Sequence, residues 1–198
     1  EIRCGTEVAS ITSRDGRATG VRLTGGEELT ARAVVAAVDP KQVLTKLADP
    51  VAIGPSLLWR AANIRTPGTV AKVNLALSAL PRFSAAGDDP RLLRGRILIA
   101  PGIDAMERAH DEAKYGRVGD APILEATIPS LVDPSLVEGG PDGAHVMSVI
   151  VANVPYTLRD GRWDAKATKR LGDTVVSTLE AYAPGLGSLV TARQVITP

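Results

Sequence analysis

The chain has 198 residues, of which 44% are hydrophobic and 23% are charged, and its formal net charge is +1. A chain of this length can bury a substantial core, while the near-zero charge and the 3% of aromatic residues argue against a nucleic-acid partner. The single cysteine, Cys4, and the lack of any apolar run approaching ~18 residues predict a cytoplasmic protein without disulfides or a transmembrane segment.

The first 39 residues predict a three-stranded β-meander. Polar and apolar residues alternate over 7–14 and over 18–24, and an Asp-Gly dipeptide typical of hairpin turns separates the two runs. A third strand is predicted over 27–35, and it continues into the wholly apolar run 33–38. A strand without a polar face is typical of a sheet that is covered on both sides, so we expect this run to be buried.

Beyond the meander, the sequence predicts mixed helices and strands. Asp39 is expected to cap a helix that has Pro40 at its first position, and a looser segment follows over 51–68. The later elements are strands within 69–78, 96–100, 122–136, 143–154 and 190–197, helices over 103–115 and 164–182, and a surface loop over 80–95. The helix over 164–182 is amphipathic, and its apolar stripe consists of Leu171, Val175, Thr178, Leu179 and Tyr182. We therefore predict an α+β fold in which helices cover one face of a mostly antiparallel sheet.

The motifs that usually mark catalysis are not supported. The segment GLGSLV at 185–190 follows a helix and precedes a strand, which is the reverse of the order in a dinucleotide-binding loop. His110 and His145 have no partners at ligand spacing, so we predict no metal site and favour a structural role for both. The sequence indicates no catalytic residue.

A few polar residues are candidates for contact with a ligand. The alternation over 69–78 places Lys72 and Asn74 on one face of an otherwise apolar strand, and Tyr156 follows the long apolar strand 143–154. Polar groups on a sheet face can line a pocket. The residues by themselves favour the alternative, that this face is simply solvated.

Several segments together resemble a known family. Residues 5–40, with E-V-A-S-I, D-G-R-A-T-G-V, G-G-E-E and A-V-V-A-A-V-D-P in order, resemble the middle of the FAD-binding domain in the phytoene-desaturase-like branch of the flavin amine oxidase superfamily. The later segments AKVNLALSALPRF, PILEATIPSLVDPSL, NVPYTL and LEAYAPG are similar to the substrate-binding domain of that branch. They resemble especially the subgroup called pyridine nucleotide-disulfide oxidoreductase domain-containing protein 2.

The resemblance implies that two parts of the chain belong to domains with different functions. Residues 1–39 would be part of an FAD-binding domain, with the meander and a return strand, and residues 40–198 would be a substrate-binding domain. The chain would be an internal fragment without the glycine-rich phosphate loop of the family. FAD is therefore expected in the parent protein, and the isolated chain is expected not to retain it.

The resemblance also implies roles for particular residues. The backbone of Val8, beside Glu7, would lie against the adenine of FAD, and the small side chains of Ala36 and Ala37 would lie near the dinucleotide. The candidates on the substrate side, beneath the isoalloxazine ring, are Lys72, Asn74 and Tyr156.

Two functions from different classes follow as expectations. The first is the substrate side of an FAD-dependent oxidoreductase, in which an apolar or amine substrate gives a hydride to the flavin, as in desaturases and amine oxidases; the isolated chain would be inactive. The alternative is a non-catalytic module that binds a ligand or another protein. The exposed edge of the meander also suggests a homodimer formed through that edge.

Overall fold

The computed structural model describes residues 1–87 and 89–198, and the described chain forms two compact units, Glu1–Thr66 and Pro67–Pro198. Within these described ranges, no helix combines the length and the apolar character that crossing a bilayer requires. The first unit extends beyond residue 39 because β1 (Val8–Arg14) contacts the helical turn Val43–Leu47. The functional boundary at residue 39 stays a prediction.

The first unit contains the predicted meander. Its strands β1, β2 (Arg17–Leu23) and β3 (Glu28–Thr30) form an antiparallel sheet in the order β1-β2-β3. Asp15 and Gly16 form the turn between β1 and β2 with φ angles of 50° and 73°. Positive φ at both central positions matches the right-handed twist of a hairpin, which explains the Asp-Gly pair.

The third strand is shorter than predicted. It ends at Thr30, and the apolar run 33–38 forms no strand, with Val35 94% exposed. The prediction that this run is a buried strand is wrong for the described chain, because no strand of the described residues pairs with it and extended backbone needs such a partner. A homodimer through the meander edge stays a prediction.

Gly20 lies at a close approach of β2 and β3. A Cβ atom added to Gly20 would overlap the carbonyl oxygen of Leu29 and would lie 3.0 Å from the Cα of Thr30. We expect Gly20→Ala to lower the free energy of unfolding of this unit by about 1–3 kcal/mol, because the strands must separate to admit the methyl group. Chemical denaturation measures the effect, and Gly25→Ala, which meets no atom within 4 Å, is the control. Equal losses in both variants would contradict the close approach.

Helices complete the first unit. The helical elements are α1 (Pro40–Gln42), the π-helical turn Val43–Leu47, α2 (Pro50–Ile53) and α3 (Pro55–Ala62). Asp39 caps α1 as predicted, since its carboxylate accepts from the backbone N–H of Lys41 at 2.7 Å. The prediction of a looser segment over 51–68 is wrong, because α3 and most of α2 lie within this range. Each begins with a proline at its first position, which is a helix-start signal.

The second unit is built on a five-stranded antiparallel sheet in the order β5-β6-β7-β4-β8. Its strands are β4 (Val70–Leu77), β5 (Ile97–Ile99), β6 (Leu124–Thr127), β7 (His145–Ala152) and β8 (Val190–Ile196). Each of them lies within a predicted strand. The α+β class and the antiparallel sheet are confirmed.

The helices of the second unit are α4 (Ile103–Lys114), α5 (Ala165–Glu180) and α6 (Leu186–Leu189). Leu171, Val175 and Leu179 of α5 are at most 2% exposed and join the same core cluster as the sheet residues Val73 and Leu75. The amphipathic stripe predicted for this helix therefore covers one face of the sheet.

The segment 80–95 contributes more than a surface loop. Phe83 and Leu93 belong to the core and are each 5% exposed. Short 3₁₀ turns, Ser84–Ala86 and Pro90–Arg94, lie in this segment, and Leu93 is buried within the second of them. The prediction of a loop at the surface is wrong for these two side chains. A single buried apolar residue can anchor an irregular segment to the core, but it produces no periodic pattern that the sequence would reveal.

The backbone amides of the two glycines in the segment 185–190 are hydrogen-bonded to a side chain of the protein itself. The carboxylate of Glu180 accepts from the backbone N–H of Gly185 and of Gly187, both at 2.6 Å. These hydrogen bonds lower the pKa of Glu180, because they favour its charged form. The amides that would hold a phosphate in a dinucleotide loop are thus already paired, in agreement with the prediction that this segment is no such loop.

Candidate functional site

One face of the five-stranded sheet is covered by the core, and the other is open. In β4, Val73, Leu75 and Leu77 are at most 2% exposed, whereas Lys72 is exposed and Asn74 is half-buried. Successive side chains of a strand point to opposite faces, so the alternation fixes which residues belong to the open side. Lys72 and Asn74 therefore lie on the same face of β4, as predicted.

The strand register arranges the open side in three rows across the sheet. The first row is Ile196, Lys72, Ile150, Glu125 and Leu98. The second row is Gln194, Asn74, Ser148 and Thr127. The third row is Ala192, Ala76 and Val146. These three rows are called the open face below.

A shallow depression of about 520 Å³ lies on the open face. Ala76 and Ala192 form part of its floor, and Pro129 and Leu136, from the segment between β6 and β7, stand at its margin. Small floor residues beside an apolar margin leave room for a flat or apolar group. The depression is therefore the candidate functional site of this unit.

The structure brings Lys72 and Asn74 together in this depression. Asn74 Nδ2 donates a hydrogen bond to Gln194 Oε1 at 3.0 Å. Glu125, in the same row as Lys72, pairs with Arg96 at 3.2 Å, and no carboxylate of the described residues pairs with Lys72. The open face thus carries one unpaired positive charge.

Tyr156, the third predicted residue on the substrate side, is placed differently. It is exposed, follows the end of β7 and is not among the residues that line the depression. Its predicted contact with substrate stays a prediction. Gln194 and Ser148 do line the depression, and the sequence did not single them out. They would have been found only with the strand order and register, which place them beside Asn74 and which no local pattern encodes.

The margin of the depression is tied to the sheet by a buried hydroxyl. Ser130 is 4% exposed, and its Oγ lies 2.9 Å from His145 Nδ1 and accepts from the backbone N–H of Val146 at 3.2 Å. The hydroxyl has one hydrogen and two lone pairs, so besides accepting from Val146 it can either donate to Nδ1 or accept from an Nδ1–H, depending on the tautomer of His145. Burial lowers the pKa of His145 below its usual 6.5 and so favours the neutral imidazole.

The lowered pKa of His145 predicts how stability changes with pH. Between the folded pKa and 6.5, the unfolded chain binds more protons at this site than the folded chain, so the free energy of unfolding falls as pH falls through that window. We expect His145→Gln to remove this part of the pH dependence, and His110→Gln, on the exposed side of α4, to leave it unchanged. Urea denaturation at several pH values below 7 measures it. A pH dependence that survives in His145→Gln would contradict the assignment.

The residues implied for FAD lie in the first unit. The carbonyl of Glu7 accepts from the backbone N–H of Thr24 at 3.0 Å, and the half-buried Val8 begins β1. Ala36 and Ala37 are exposed in the run 33–38, which follows β3. Their contacts with the cofactor stay predictions. The described residues contain no group of three or more His, Cys, Asp or Glu side chains that could hold a metal ion.

Comparisons with known proteins found a matching family model and several relatives. A family model described as flavin containing amine oxidoreductase matches residues 1–118. The chain is 34% identical over 191 residues to the pyridine nucleotide-disulfide oxidoreductase domain-containing protein 2 of Rattus norvegicus, covering 93% of this chain and 32% of the relative. It is 26% identical over 201 residues to a neurosporene-forming phytoene desaturase of Rhodobacter capsulatus, covering 100% of this chain and 36% of the relative.

Solved structures share the fold. An oxidoreductase from Methanosarcina mazei matches with a TM-score of 0.56 and 16% identity, over 98% of this chain and 37% of that one. A protein from Pyrococcus furiosus matches with a TM-score of 0.53 and 17% identity, over 96% of this chain and 36% of that one. The chain thus spans about a third of the length of the relatives that it matches.

Proposed function

The chain belongs to the flavin containing amine oxidoreductase family, and from this membership we propose that it supplies the substrate side of an FAD-dependent oxidoreductase together with part of its FAD-binding domain. FAD is the cofactor that this family implies. The open face would hold the substrate, while the meander and the run 33–38 would belong to the cofactor side.

One observation carries this proposal: the sheet of the second unit keeps a face that its own helices leave uncovered. Three large apolar side chains stand on that face, with Leu98 66%, Ile196 48% and Ile150 41% exposed. Exposed apolar groups that share a surface with a few polar ones mark sites for ligands or partners. A substrate lying over this surface would remove these side chains from water.

The residues present suit a flavin cofactor. Small, exposed side chains at Ala36 and Ala37 leave the backbone of the run 33–38 accessible, and a dinucleotide needs such close approach. Glu7 and Val8 would contribute backbone at the adenine. Bound FAD would supply the hydride acceptor. The chain itself would bind and orient the substrate and keep water from the reacting carbon.

The unpaired charge of Lys72 bears on the choice between the two substrate types expected from the sequence. Covering the open face would weaken the screening of the ammonium group by water. A protonated amine placed there would be repelled, whereas a neutral amine or an apolar chain would not. We therefore propose a substrate that binds in an uncharged form.

Thiol protection tests the proposed position of the cofactor and substrate side without knowledge of the substrate. Ala76→Cys, in a Cys4→Ser background, places the only thiol of this chain in the depression. In the whole protein, we expect FAD to slow modification of this thiol by a maleimide by at least about 10-fold, because the bound cofactor would limit access to the open face. Glu107→Cys, on the exposed side of α4, is the control and should react at the same rate in both states. Equal rates for Cys at position 76 with and without FAD would contradict the proposal.

A further inference from the structure

The open face carries an ordered band of hydrogen-bonding side chains. Gln194, Asn74, Ser148 and Thr127 follow one another across four adjacent strands. Adjacent strands lie about 4.8 Å apart, so the band is about 14 Å long. It lies between a row that contains exposed apolar side chains and a row made only of small or apolar ones.

The side-chain amides of Asn74 and Gln194 use only part of their hydrogen-bonding capacity within the protein. Asn74 Nδ2 donates to Gln194 Oε1, which leaves Asn74 Oδ1 as an acceptor and Gln194 Nε2 as a donor without a partner among the described residues. Reversing both amides would again leave one donor and one acceptor. The hydroxyl of Ser148, the next residue along the band, has no described partner either and can serve in both roles.

A ligand that covered these groups with hydrocarbon alone would take them from water and return no hydrogen bond. A site built to pair with polar atoms discriminates strongly against a ligand that lacks them. A ligand that offers a donor and an acceptor side by side would satisfy both Asn74 and Gln194. Its apolar part would then lie over Ala76 and Ala192, beside Leu136.

We propose, resting on the function proposed above, that the open face selects a neutral amphiphile with an amide-like group, whose N–H and C=O pair with Asn74 and Gln194, on an apolar body. A wholly hydrocarbon substrate would be disfavoured. Asn74 and Gln194 are therefore the residues that determine substrate class at this face.

Nuclear magnetic resonance of the 198-residue chain tests this proposal with two defined probes. The chain has three asparagines and two glutamines, so the side-chain amide signals of Asn74 and Gln194 can be assigned individually. We expect heptanamide to shift both signals and to bind at least about 10-fold more tightly than N,N-dimethylheptanamide, which keeps the acceptor and loses the donor. Equal affinities, or shifts confined to other amides, would overturn the proposal.

Substitutions supply the control. The double variant Asn74→Leu/Gln194→Leu should lose at least about 10-fold in heptanamide affinity with an unchanged spectrum of the buried backbone, whereas Gln42→Leu, in the first unit, should change nothing. If the double variant does not fold, the comparison of the two probes in the unmodified chain still decides. If FAD protects the thiol at position 76 but heptanamide and N,N-dimethylheptanamide bind equally well, this inference is refuted and the proposed function is not. If heptanamide binds more tightly but the whole protein binds no flavin, the proposed function is refuted and the preference for an amide is not.

Discussion

Filling the depression by Ala76→Trp is expected to lower kcat/KM of the whole flavoprotein by about 100-fold or more, which corresponds to about 2.7 kcal/mol of lost transition-state binding. Ala76 lies in the row with Ala192 and Val146, and its methyl group forms part of the floor of the depression. An indole at this position would occupy the space that we assign to the substrate. Because Ala76 is on the open side of the sheet, the core beneath it keeps its packing.

The control for this prediction is Glu107→Trp, which places the same side chain on the exposed side of α4. It should retain kcat/KM within about 3-fold, as expected for a surface change remote from the site. Thermal unfolding of both variants checks that the fold is intact. If Ala76→Trp is folded and retains its activity, the depression is not the place where the substrate binds.

The second large effect is expected in the core. Leu179→Ala should lower the free energy of unfolding of the second unit by about 2–5 kcal/mol, because Leu179 is 0% exposed and the truncation leaves a cavity between α5 and its neighbours. The loss corresponds to a fall in Tm of roughly 5–15 °C for a chain of this size. Differential scanning calorimetry measures it.

Tyr182 offers a matched comparison. The helix predicted over 164–182 has both Leu179 and Tyr182 on its apolar stripe, but Tyr182 follows the end of α5 and is 39% exposed. Tyr182→Ala should therefore lower the free energy of unfolding by less than Leu179→Ala does, because part of the Tyr182 ring is already in contact with water. A larger loss in Tyr182→Ala than in Leu179→Ala would contradict the packing described for this helix.

The elements that the sequence predicts correctly are those with strong local signals. The Asp-Gly turn of the meander, the Asp39-Pro40 helix start and the alternation in β4 each depend on residues within a few positions of one another. Such signals need no knowledge of the rest of the fold. They placed Lys72 and Asn74 on the correct side of their strand.

The errors arise where structure depends on distant partners. The run 33–38 has the composition of a buried strand, yet a strand also needs neighbours, and none of the described strands pairs with it. Gln194 could not be associated with Asn74 from the sequence because their contact depends on the register of β8 with β4, which joins residues 120 positions apart. The depression on the open face required the same long-range information.

Whether this chain is the substrate side of a flavoenzyme can be decided by the visible absorption spectrum of the purified whole protein, recorded beside that of the 198-residue chain. We expect a flavin spectrum for the whole protein and none for the chain, because the chain would hold only part of the FAD-binding domain. A whole protein without flavin absorption, even after FAD is added, would contradict the assignment of this chain to the substrate side of a flavoenzyme.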